Sequence, residues 1–168
     1  TSGDYNAAFG HNALTLSTDA SRNTAIGVDA MAATTTGTHN TAVGQAALYL
    51  NTTASANVAI GQESLRTNTT GGMNTAVGLQ SLYANTTGGS NVAVGHVALY
   101  ANTTGNYNTA VGIDAMKAAT TSAGNVAMGR QALQACTTGN YNTVLGHAAG
   151  ANNGPMTTAA SNVIIGAF

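Results

Sequence analysis

The sequence predicts an all-β chain, a parallel β-solenoid with one coil per 17 residues, and three observations carry that expectation. Asn recurs at Asn6, Asn23, Asn40, Asn57, Asn74, Asn91, Asn108, Asn125 and Asn142, always 17 residues apart, and again at Asn162 after 20. Gly stands four residues after every one of them, from Gly10 to Gly166. Between successive Asn residues lie two short apolar segments and two turn-like segments, too little chain for a leucine-rich repeat, which takes about 20 residues or more. A period kept without insertion over eight consecutive intervals makes each repeat one structural unit stacked on the last. With equivalent residues ~4.8 Å apart, ten coils form a rod of roughly 48 Å.

The first segment of each unit reads as a strand. Asn is followed by a β-branched residue in most units (Thr24, Thr41, Val58, Thr75, Val92, Thr109, Val126), and Thr and Val are near-isosteres suited to a pleated surface. Ala comes next in eight successive units, Ala8 to Ala127, then a larger apolar residue such as Phe9, Ile26, Val43, Ile60, Val77, Val94, Val111, Met128 or Leu145. The Gly that follows ends the strand with a sharp turn. Two variable residues later comes a small residue (Ala47, Ser64, Ser81, Ala98) and then Leu or Met (Leu48, Leu65, Leu82, Leu99, Met116), which reads as a second short strand. One helical turn is the competing reading, but four or five residues fall far below the ~12 at which helices hold alone. Val94 and Leu99 are expected in the core. Asn-Thr-Thr-Gly or a near copy closes the unit at Asn51, Asn68, Asn85 and Asn102 with turn chemistry.

Residues 1–149 thus form one solenoid of 17-residue repeats, and residues 150–168 an irregular loop and the start of a variant coil. Gly150 replaces the expected Leu, and the segment to Ser161 is three residues longer and holds the only proline, Pro155, expected in a bulge or loop. Asn162-Val163-Ile164-Ile165-Gly166 then resumes the strand.

Composition narrows the function classes. Charged residues make up 5% of the chain, about a fifth of the ~25% usual in soluble domains, so the surface is polar without being charged. A net charge of −1 gives no electrostatic reason to expect nucleic acid or an anionic membrane as partner. No apolar run approaches the ~18 residues of a membrane span, and no charged-then-apolar leader opens the chain at Thr1-Ser2-Gly3-Asp4, which suggests an excerpt of a longer protein. One cysteine, Cys136, allows neither an internal disulfide nor a Cys-based zinc site.

Stacking turns each slot into a ladder, and most ladders are structural. Asn amides can bond one another and the turn backbone along the axis. The glycines lack the spacing of a phosphate loop. Thr52, Thr69, Thr86 and Thr103 begin a Thr pair present in nearly every unit, where one Thr of each pair forms an outward rank and the bland reading is turn formation. Tyr49, Tyr83 and Tyr100 share an exposed slot that also holds Arg66, Lys117 and Gln134, and they are the candidates for stacking against a sugar. The Asn-Thr-Thr sequons are generated by the repeat itself, so they carry little weight as glycosylation sites. His11, His96 and His147 share a slot but lie five and three coils apart, roughly 24 and 14 Å, too far for one metal ion. The five carboxylates, Asp4, Asp19, Asp29, Glu63 and Asp114, are equally dispersed. No catalytic set, cofactor or metal site is expected, and the chain reads as a non-enzyme.

The core Asn-Thr-Ala-Val-Gly, with its variant Asn-Val-Ala-Ile-Gly at Asn57 to Gly61, resembles the head repeats of trimeric autotransporter adhesins. It is similar as well to repeats of phage tail fibres and of surface fibre proteins that end in a self-cleaving chaperone domain. The resemblance covers about residues 5–149, and it departs from the adhesin heads in its longer period, the extra residues falling in the Asn-Thr-Thr-Gly turn. It implies a left-handed β-roll assembled as a homotrimer, extracellular, on a cell surface or in a virion fibre. The expected function is a fibre shaft or head segment that spaces or presents a receptor-binding tip, with other copies of the chain as partner and a host-surface glycan or receptor as target. No membrane insertion is expected. Both faces of the first strand are apolar or small, and one solenoid interior can bury only one of them, which also argues for self-association. An ice-binding solenoid using stacked Thr is the alternative, and a polysaccharide lyase a weaker third.

Overall fold

The computed structural model describes residues 3–151 and 157–167. It is a parallel β-solenoid in which every coil contributes one three-residue strand: β1 (Ala7–Phe9), β2 (Thr24–Ile26), β3 (Thr41–Val43), β4 (Val58–Ile60), β5 (Thr75–Val77), β6 (Val92–Val94), β7 (Thr109–Val111), β8 (Val126–Met128), β9 (Thr143–Leu145) and β10 (Val163–Ile165). The strands form one parallel sheet in chain order. Their register repeats the sequence period, with Ala76 beside Ala93 and Ala93 beside Ala110. The longer interval before β10 leaves the stack intact, since Val163, Ile164 and Ile165 pair with Thr143, Val144 and Leu145. Pro155 and its neighbours 152–156, like Thr1 and Ser2, lie outside the described residues.

The strand alternates as a pleat requires, and Ala is the residue that points inward. Ala25, Ala42, Ala59, Ala76, Ala93, Ala110 and Ala127 are buried, while the residues on either side of each face outward and stay partly exposed. Val94 is therefore half-buried on the outer face, against the expectation that placed it in the core. The reason is space. Most coils already enclose two buried polar side chains or their small replacements and one Leu or Met, which leaves the strand room for a methyl group; where Gly150 replaces that Leu, the same slot holds the larger, buried Val144. Leu99 is buried as expected, in a column with Met31, Leu48, Leu65, Leu82, Met116 and Leu133.

The second apolar segment is a turn rather than a strand. Val97 and Leu99 both take a left-handed conformation, with φ of 50° and 51°, and the same pair of slots does so in the other coils, as at Ala46 and Leu48 or Gln80 and Leu82. The backbone thereby sends successive amides to opposite neighbours: Val97 N–H donates to the Leu79 carbonyl of the preceding coil, and Leu99 N–H to the Ala115 carbonyl of the following one. A non-glycine residue held left-handed is disfavoured by about 1–2 kcal/mol. Here the strain is offset by inter-coil hydrogen bonds and by burial of the Leu side chain.

Gly95 is a steric requirement. At φ 132° it packs so closely on the next coil that a Cβ would lie 2.6 Å from the Gly112 carbonyl oxygen, and the same kind of contact recurs at the ends of β1 to β9.

These placements separate two neighbouring substitutions. Leu99→Ala should lower the unfolding free energy by about 2–5 kcal/mol through a core cavity. Tyr100→Ser, which loses only a stack on Tyr83, should lower it by about 1 kcal/mol. Urea denaturation of the two variants measures both, and equal losses would contradict the inward position of Leu99.

Candidate functional site

Five features meet the criteria for function or for its support: two interior amide ladders, the Thr rank, the Tyr stripe and the outer face of the sheet. The Asn column that opens each coil is internal from Asn23 to Asn142. Asn91 is typical: its backbone N–H and its Nδ2 both donate to Asn74 Oδ1, at 3.0 and 3.1 Å, and Nδ2 donates as well to the Gly105 carbonyl at 2.8 Å. Asn91 Oδ1 in turn accepts from Asn108. The ladder survives the longer interval, because Asn162 N–H still donates to Asn142 Oδ1 at 3.1 Å.

A second, shorter ladder runs through Asn51, Asn68, Asn85 and Asn102, each Nδ2 from Asn68 onward donating to the Oδ1 before it. These are the sequon asparagines, and all four are fully buried, so the folded chain offers none of them to a glycosylating enzyme. The ladder stops at Ala119, which has no donor. Asn102 Oδ1 is left buried without a hydrogen-bond partner. Farther on, the same slot holds the buried Cys136.

Each candidate Thr is half-buried, with its hydroxyl turned along the axis. The Oγ1–H groups of Thr52, Thr69, Thr86 and Thr103 donate to the carbonyls of Thr69, Thr86, Thr103 and Thr120 at 3.1, 3.0, 3.0 and 3.1 Å. The outward rank of the pair is its second member, Thr53, Thr70, Thr87 and Thr104, which is exposed. One outward rank results, as the alternation of adjacent residues implies.

The tyrosines do come together, and Arg66 is part of their column. Its guanidinium carbon lies 5.3 Å from the Tyr49 ring centre and 5.7 Å from that of Tyr83. Tyr83 stacks on Tyr100 with centres 5.2 Å apart and planes 11° from parallel. Glu63 faces Arg66 at 3.7 Å. Most ring faces in this stripe are therefore covered by the next member of the column, which leaves edges and hydroxyls to solvent.

Sequence reasoning found that the strand has a second face but put Val94 in the core, so it did not assign that face to the residues flanking Ala. Its ranks are Thr24, Thr41, Val58, Thr75, Val92, Thr109, Val126 and Thr143 on one side and Ile26, Val43, Ile60, Val77, Val94, Val111, Met128 and Leu145 on the other. Ile60 remains 41% exposed and Met128 42%. The available signal was the strand alternation itself, once Ala is assigned inward. Elsewhere, His11, His96 and His147 are exposed and apart, and among the described residues no group of three or more His, Cys, Asp or Glu could hold a metal ion.

No known protein family, curated protein or solved structure matches the chain.

Two measurements probe the interior. Ala119→Asn should extend the second ladder and give Asn102 Oδ1 its missing donor, and because its own Oδ1 becomes the new end of the ladder beside Cys136, it should raise stability by at most about 1 kcal/mol, seen as an unchanged or slightly higher melting temperature. A lower one would mean that the slot at Ala119 lacks the room its neighbours have. Burial pushes the Cys136 thiol above its ordinary pKa, which lowers its thiolate fraction at about pH 8 relative to a free cysteine. Disulfide-reagent labelling of Cys136 at that pH should accordingly follow global unfolding rather than precede it.

Proposed function

We propose that the chain is a segment of a homotrimeric extracellular fibre, on a cell surface or in a virion, which spaces or presents a receptor-binding tip and adheres through its own surface as a secondary role. The observation that supports this most is the outer sheet face. All-parallel sheets are almost always covered on both sides, and here one side carries a field about 43 Å long, from nine strand spacings, with one apolar rank and one of mixed Thr and Val, that no other strand of the described residues covers. Apolar fields of this extent mark interaction surfaces. Because the field repeats at the coil spacing, a partner with the same spacing matches it along its whole length, and a second copy of the chain has that property. A closed cyclic assembly buries the face while the rod stays free to extend along its axis. The number three, the left-handed winding and the display outside a cell or virion come from the resemblance of Asn-Thr-Ala-Val-Gly to adhesin-head and tail-fibre repeats.

Sedimentation equilibrium at low micromolar concentration should give three times the 16.5 kDa chain mass. The pair Val77→Asp and Val94→Asp, on the outer face, should abolish that mass. A wild-type chain that is folded and monomeric would overturn the reading.

Ice binding is the second reading, and the same field favours it, since it is uncharged, carries a rank of Thr and Val, and is ordered in two files. The Thr52 to Thr103 hydroxyls contribute little to this reading because their protons are held by backbone carbonyls. Thermal hysteresis and ice-crystal shaping at micromolar protein would favour ice binding over the fibre.

A further inference from the structure

The tyrosine stripe has one open end. Slots in its column before Tyr49 are filled by Ala32 and Thr15, too small to stack, and a cavity of about 250 Å³ occupies the space they leave. Arg66 covers the Tyr49 ring from the following coil, whereas every other residue lining the cavity belongs to Tyr49's own coil or to the two before it. The ring face turned away from Arg66 therefore borders the cavity. Ala32, Ala33, Leu16 and Leu50 supply apolar walls, and Asn12 and Asp29 a polar one, on which Asn12 Nδ2 donates to Asp29 Oδ1 at 3.0 Å. Asp29 Oδ2 has no hydrogen-bond partner among the described residues, so the pair offers acceptors beside an aromatic face. None of the lining residues lies in a strand, and the proposed trimer face leaves the notch untouched.

We propose that this notch is a binding subsite for one pyranose ring of a glycan, which stacks its C–H face on Tyr49 and gives hydroxyl hydrogens to Asp29. The chemistry selects this class. A pyranose presents an apolar C–H face and a hydroxylated edge, and the notch presents an aromatic face with a carboxylate and an amide at its side. An anion is repelled by Asp29, and a purely apolar ring would leave the Asn12–Asp29 pair without use. Drug-sized ligands occupy cavities of about 300–1,000 Å³, so 250 Å³ suits a single ring and not an oligosaccharide. The subsite rests on the adhesive part of the proposed function but not on the trimer, whose failure sedimentation reports separately.

Saturation-transfer NMR on the intact chain tests it, with methyl β-galactoside, methyl α-glucoside and N-acetylglucosamine as probes at millimolar concentration. Transfer to the ring C–H protons of at least one probe is expected, and Tyr49→Ala should weaken it about tenfold. Ala32→Tyr is the more telling variant, because it removes no contact of the fold, adds one more ring to the stripe and fills the notch. It should abolish transfer with an unchanged or higher melting temperature, while Tyr107→Ala, an exposed tyrosine in another slot, should leave transfer intact. Absence of transfer with all three probes, or transfer that persists in a folded Ala32→Tyr chain, would overturn the proposal.

Discussion

A primary amide taken out of water must find partners for two donor hydrogens and an oxygen, and in this coil they are its own copies one coil away and a turn carbonyl. That constraint orders the molecule. Asn91 bonds to Asn74 behind it, to Asn108 ahead and to the carbonyl of Gly105, which closes its own coil. A coil out of register by one residue would leave a buried amide unmet on both sides, at about 1–3 kcal/mol for each orphaned group. The period of 17 is therefore enforced at the axis, where no slack exists. The one longer interval obeys the same rule, since the ladder closes from Asn142 to Asn162 across three extra residues.

Legibility in the sequence followed the same division. Asn, Gly and the strand Ala were readable because each is demanded by geometry at every coil, and demanded residues repeat. The second segment reads as a strand in the sequence because nothing in Ala-Leu-Tyr announces a left-handed Leu; Leu99 at φ 51° is held there by its bond to Ala115 of the following coil, and Val97 by its bond to Leu79 of the preceding one, which no local propensity reports. Val94 was misplaced for a different reason. Alternation alone says that Ala93 and Val94 face opposite ways, and only the crowding of the interior by Leu99, Asn91 and Asn102 decides that Ala is the one inside. The notch was invisible for a third reason, because a small residue in a column becomes a cavity only when the ring beside it is known to stack.

The faces of the rod differ in how they depend on the repeat. On the outer sheet face every coil offers the same kind of side chain at the same height, so any partner that recognises one coil recognises all of them. Such a surface suits assembly, where area matters more than identity, and it needs little charge, in keeping with a chain that has 5% charged residues. The turn segment after each strand is freer. Tyr49, Arg66, Tyr83, Tyr100, Lys117 and Gln134 share one slot because their side chains lie outside the ladders and contact their neighbours in the column or, as at Arg66 and Lys117, a carboxylate three residues back in the same coil.

Discrimination between ligands has to arise where successive coils differ, since a uniform column presents the same contact everywhere. The step from Ala32 to Tyr49 is the sharpest change of size in the stripe, and it falls where Asp29 and Asn12 bring polar groups to its edge. Strict interior repetition is what makes such a step usable. The ladders hold both coils in register whatever their surface residues, so replacing one exposed side chain changes the shape of the notch without disturbing the stack. A repeat protein of this kind can thus keep one invariant axis and vary its recognition by single residues at chosen heights along the rod.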